Sequence, residues 1–209
     1  MKKRKIKFNL ILGIIVVILI LIMAYCVFDI FNSMKSKEPE EVEILDKIEG
    51  YKYELNENDS EYFHTLFQKL KTTLEAEELN EEEYASLVSQ LFITDFYSLD
   101  CSLNKNDIGG TQFVYTGYQN DFISKAKTTV YNYVENNIYG TREQSLPKVK
   151  EVIINSVETK PYSFGESIKD ENAYVVSLAI SYEVELEYPT EVTLVLIHNE
   201  GQLEVAKMN

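Results

Sequence analysis

From Val176 the chain alternates without a break. Val176, Leu178, Ile180, Tyr182, Val184, Leu186 and Tyr188 are apolar or aromatic, and Ser177, Ala179, Ser181, Glu183, Glu185 and Glu187 stand between them. Side chains of an extended strand point to opposite faces at each step, so this spacing predicts one long strand with a buried face and a wet face. A strand with that much one-sided apolar surface needs a second layer. Residues 192–198 follow Pro189 and Thr190 as another strand, and Asn199-Glu200-Gly201 predicts a hairpin turn into residues 203–206. Residues 152–159, rich in β-branched side chains, predict a strand ahead of the long one.

The covering layer is written upstream in a different period. Phe63, Leu66, Phe67, Leu70 and Leu74 recur at helical spacing behind a capping box of Asn58 and Glu61. A second start follows at Asn80, with Glu83 as its reciprocal partner and Tyr84, Leu87, Val88 and Leu91 turned inward. The two helices are a few residues apart and should pair antiparallel. Residues 102–116 read as a loop, with 112–115 as a short strand inside it. Thr116 with Gln119 predicts the start of a third helix, whose stripe is Tyr118, Phe122, Ala126, Val130, Tyr133 and Val134.

Helices first and a sheet afterwards make an α+β domain, with three helices packed on a mostly antiparallel sheet. The order of elements over roughly residues 56–207 resembles the nuclear-transport-factor-like family, a cystatin-like cone. The resemblance implies a curved sheet wrapped around the helices, with a pocket at its wide end. Membrane-anchored members of that family include assembly proteins of bacterial conjugation and secretion machines. The layout also resembles uncharacterised membrane-anchored proteins of low-GC Gram-positive bacteria.

The anchor is read from the N-terminus. Residues 10–28 carry no charge and follow Lys2, Lys3, Arg4, Lys5 and Lys7. A run of that length spans a hydrocarbon core as a helix, and the basic head would stay in the cytoplasm. A cleaved signal fits less well, because such apolar cores are shorter and end at a small-x-small site. Tyr25 before Cys26 also departs from a lipoprotein signal. The expected organisation is a cytoplasmic head (1–9), one transmembrane helix (10–28), an acidic tether (29–55) and an extracellular domain (56–209). With Cys26 in the span, Cys101 has no intramolecular partner and is expected as a free thiol. Net charge is −14 with all the early charge basic, so the remainder is strongly acidic and unsuited to nucleic acid.

Chemistry is sparse. There are two histidines and no H-E-x-x-H, P-loop, EF-hand or nucleophile-elbow pattern, so neither a metal nor a cofactor is expected. Asp95 falls at a helix C-terminus, where the dipole disfavours a carboxylate. Gly109 and Gly110 permit positive φ or a close backbone approach, and Tyr115 and Tyr118 follow soon after. These residues, with His198, are the candidates for lining a binding pocket. The leading expectation is a non-enzymatic membrane-anchored interaction domain, for example part of an envelope, secretion or conjugation assembly, working with a protein partner or a second copy. The alternative is an extracytoplasmic module that binds a small ligand in an aromatic-lined pocket. An enzyme would need a buried acid or base, with Asp95 and His198 first in line.

Overall fold

Helix α1 (Glu61–Leu74) starts behind Ser60, whose hydroxyl accepts the Phe63 amide at 3.1 Å. The cap is therefore Ser60 rather than Asn58. Asp59 closes the preceding turn by accepting the Asn56 amide at 2.7 Å. Helix α2 (Glu81–Tyr97) begins at the expected Asn80, which accepts the Glu83 amide at 3.2 Å. Tyr84, Leu87, Val88, Leu91, Phe92, Ile93 and Phe96 are all buried, so α2 is apolar nearly all round. That is the signature of a helix enclosed on several sides, and α2 does lie between α1 and the sheet.

The computed structural model describes residues 21–28, 43–165 and 168–209. Within 43–209, β1 (Ile44–Lys47) pairs antiparallel with β2 (Glu54–Asn56). Ile48, Tyr53 and Leu55 of this region belong to the core, although the sequence pattern places 29–55 in a tether. Helix α3 (Gln119–Thr128) is preceded by 3-10 turns at Thr111–Phe113 and Thr116–Tyr118. It stops well before Val134. The chain turns after Thr129, so Tyr131 is fully buried while Tyr133 is 81% exposed, reversing the expected stripe.

The main sheet is an antiparallel meander in chain order: β3 (Val149–Phe164), β4 (Ile168–Tyr182), β5 (Glu191–Asn199) and β6 (Gln202–Met208). Tyr174, Val176, Leu178 and Ile180 face the helices as the alternation requires. The strand itself begins at Ile168 and ends at Tyr182. Val149 of β3 lies opposite Tyr182, and Glu191 of β5 lies opposite Ala179. The Glu183 amide still donates to the Lys148 carbonyl at 3.0 Å, but beyond it no strand among the described residues runs alongside, so the alternating residues 183–188 form no strand. In β5, Leu194 and Leu196 face the helices. Val195 and Ile197 point the other way, into a smaller cluster with Ile168 and Ala173. Coverage of both faces explains the nearly unbroken apolar run. The β5–β6 turn forms as expected, with Glu200 at φ 49° and Gly201 at φ 83°.

The sheet is open, which corrects the cystatin-like or nuclear-transport-factor-like cone. Among the described residues no strand closes it, and its two outer edges are met by other means. At β3 the hydroxyl of Tyr62 accepts the Val152 amide at 3.1 Å, and Gln90 donates to the Val152 carbonyl at 2.7 Å. At β6 the Tyr115 amide donates to the Val205 carbonyl at 2.9 Å.

The transmembrane helix is corrected as well. No helix among the described residues is long and apolar enough to cross a membrane. Residues 10–20 of the expected span lie outside the described residues, and 21–28 are helical. The single-pass topology, extracellular placement, membrane attachment and membrane-surface partnership that rested on that span are not carried forward.

Candidate functional site

The loop between α2 and α3 is pinned at both ends by a carboxylate. Its first end is the glycine pair. Gly110 adopts φ 76°, and a Cβ there would stand 3.0 Å from the Phe92 ring. A Cβ on Gly109 would meet the Asp95 carbonyl oxygen at 2.3 Å. Only residues without side chains let the loop lie this close to α2. The Gly110 amide donates to Asp95 Oδ2 at 2.7 Å. The Gly109 amide donates to the Tyr131 hydroxyl at 3.1 Å, and that hydroxyl donates to the Phe96 carbonyl at 2.8 Å.

Asp95 shows only part of its surface to water and has no cation paired with it among the described residues. Burial, and next the charge of Asp59, push its pKa up to about 7. The Gly110 amide pulls the other way, and Asp107 adds a smaller upward push. Cys101 is a free, half-buried thiol. Burial, then Asp100, raise it to about 12, which keeps it protonated and a poor nucleophile.

The other end of the loop is held by Glu204, whose side chain is fully buried. Lys52 Nζ lies 2.5 Å from its Oε1, and the Thr116 amide donates to Oε2 at 3.1 Å. Asn199 and Gln202 add side-chain amide donors at 3.0 and 3.1 Å. This carboxylate is charge-balanced and saturated with donors.

Val114 lies between the two pins and forms part of a concave pocket of about 510 Å³. Phe92, Phe122, Val205 and Met208 supply further apolar lining. Phe122 packs against both Phe92 and Phe96, with ring centroids 5.9 and 5.2 Å away. The pocket exists because α3 is short and packs mainly on the two 3-10 turns, leaving a gap beside the end of β6. Tyr118 stands edge-on to Phe164 at 5.7 Å, so the end of β3 reaches the rim. Asp121, Lys125 and Lys207 bring charge to the lining, and all three are exposed. Neither lysine makes an ion pair among the described residues.

The structure thus gathers Asp95, Gly109 and Gly110 at one end of the loop and Tyr115 and Tyr118 at the other. The two tyrosines are in edge contact at 5.2 Å. His198 stands apart. Its amide and Nδ1 meet Asp170 Oδ2 at 2.7 and 2.9 Å, and its ring lies 5.8 Å from Tyr174. Burial tends to raise the Asp170 pKa, but the His198 and Asn172 amides and the His198 ring outweigh it and hold it below the usual value. This cluster lies outside the pocket lining. Among the described residues no group of three or more His, Cys, Asp or Glu side chains is placed to hold a metal.

The residues that sequence reasoning missed are Glu204, Lys52, Phe164, Lys125 and Lys207. Glu204 sits at a position whose alternation predicts a wet face, so nothing local flags its burial. No protein-family model, curated protein or solved structure matches this chain. The nuclear-transport-factor-like resemblance is therefore withdrawn, since neither the comparisons nor the open sheet supports it.

Proposed function

We propose that the pocket beside α3 binds a compact amphipathic molecule, an apolar body bearing one anionic group, and does so without transforming it. The observation that carries this reading is the pairing of an apolar, partly aromatic lining with Lys125 and Lys207, in a chain of net charge −14. Pockets of this make-up take their affinity from apolar burial and their orientation from a few polar groups. Among the lining side chains, Asp121 offsets one of the two cations. Asp95 and His198, the groups best suited to acid–base work, are not among the lining residues, which favours binding over catalysis.

Calorimetric titration with octanesulfonate, a permanently charged anion with an apolar tail, tests the reading. Saturable one-site binding is expected. Replacing Lys125 and Lys207 together by alanine should weaken it about tenfold or more, as for loss of a charge-assisted contact. The neutral analogue octanol should bind comparably to the wild type and the double variant. Equal octanesulfonate affinity in both proteins, or no binding at all, would overturn it.

A further inference from the structure

The pocket-floor loop is fastened at Thr116 by a carboxylate with a lysine against it and at Gly110 by one without. We infer that the Asp95 fastening is a proton-operated latch: when protonated, Asp95 keeps the Gly109–Gly110 end seated on α2, and when ionised it releases that end and lowers the affinity of the pocket. This rests on the binding reading given above and adds its regulation.

Three geometric facts connect the latch to the pocket. Asp95 and Phe92 lie one turn apart on α2, and Gly110 is packed against the Phe92 ring while its amide bonds Asp95. Phe92 lines the pocket, and so does Val114, just past the 3-10 turn that Gly110 precedes. Beyond Gly110, the Gln112 side chain is bonded to the Glu54 backbone, Phe113 is fully buried against Tyr53, Lys52 reaches the Val114 carbonyl and Glu204 holds the Thr116 amide, so displacement of the loop is confined to the glycine pair.

The groups facing Asp95 set the sign. They are Asp59 from the turn before α1, Asp107 from the loop, Tyr131 from the segment after α3, and Cys101. None is a cation, and Asp95 also occupies the last turn of α2, where the helix dipole disfavours a negative charge. A neutral carboxyl fits this surrounding and still accepts the Gly110 amide. An ionised one gains a stronger bond from that amide but is repelled by Asp59 and Asp107 and starved of water. It is relieved when the glycine turn lifts and water enters. Lifting removes the backbone that supports the Phe92 ring, so that wall of the pocket loosens as pH rises through about 7.

Octanesulfonate binding to the full chain at pH 6 and pH 8 provides one test, since the probe keeps its charge throughout. Wild-type affinity should fall about five- to tenfold at the higher pH, within the usual range of coupling between sites. Asp95→Asn should bind equally at both. Amide resonances of the unliganded protein provide the second. Gly110 should titrate with a midpoint near 7, and the Phe92 ring resonances with it, while Val114 and Thr116 stay in place. Probe binding that is independent of pH in the wild type, or a Gly110 titration that leaves the Phe92 ring unmoved, would overturn the latch. Should octanesulfonate fail to bind at either pH, the binding reading falls and the joint titration of Gly110 and the Phe92 ring decides the loop movement by itself. Should Asp95→Asn not fold, the wild-type titrations decide.

Discussion

Asp95 and Glu204 are both carboxylates that hold the same loop from inside the protein, yet they are built on opposite plans. Glu204 has lost all contact with water and replaced it with an ammonium group, a backbone amide and two side-chain amides. Asp95 keeps a little water, has a single amide, and looks onto two other acids. The lesson is that burial alone does not decide how a carboxylate behaves. The number of donors and the sign of the neighbours decide whether it is a fixed joint or a titratable one.

The comparison is broken most severely at the fixed joint. Glu204→Ala leaves Lys52 without its partner and strips the Thr116, Asn199 and Gln202 donors of theirs. Loss of about 3–5 kcal/mol in urea denaturation is expected, the range for removing one member of a buried ion pair. A loss below about 1 kcal/mol would mean that the two carboxylates do not differ as described.

The next effect is a pH dependence at the titratable joint. The folded-state pKa of Asp95 lies above its ordinary value of 3.8, at about 7. Between these two values the folded protein holds a proton that the unfolded chain has released, so stability falls as pH rises through that window and levels off above it. The slope attributable to Asp95 is at most about 1.4 kcal/mol per pH unit and smaller where water reaches the carboxylate. Subtracting the denaturation profile of Asp95→Asn from that of the wild type isolates it. A difference profile that is flat from pH 4 to 7 removes the distinction between the two acids.

The smallest effect sharpens the picture at the glycine turn. Gly110→Ala forces a left-handed residue and sets a methyl group 3.0 Å from the Phe92 ring. A cost of about 1–2 kcal/mol is expected from the backbone conformation, with added strain if the ring cannot yield. Because Phe92 also lines the pocket, near-ultraviolet dichroism of the aromatic rings should change in the same variant.

Local patterns foretold much of the framework. The Asn80 cap, the α1 and α2 stripes, the β5–β6 turn and the helix-facing side of β4 all follow from residues within a few positions of one another. The glycine pair was also legible as a site of close approach, although only the fold shows that α2 is what it approaches. Failures cluster where a distant partner had the deciding role. Past Glu183 the alternation has no strand alongside it among the described residues. Tyr131 displaced Tyr133 from the interior because its hydroxyl reaches Gly109 and Phe96. Tyr53 is core, in a segment of tether-like composition, because its hydroxyl meets Tyr84 and the Leu203 carbonyl.

By itself, then, the sequence determined helices α1 and α2, most of the main-sheet strands and the helix-facing side of β4, because these depend on periods of two or 3.6 residues along the chain. Tertiary structure decided that the sheet stays open, that Glu204 is enclosed, and that a pocket forms between a short helix and the end of β6. Those outcomes depend on pairings across scores of residues, Lys52 with Glu204 and Val114 with Val205 among them. No local period encodes such distances; packing and charge compensation select them only once the layers have met.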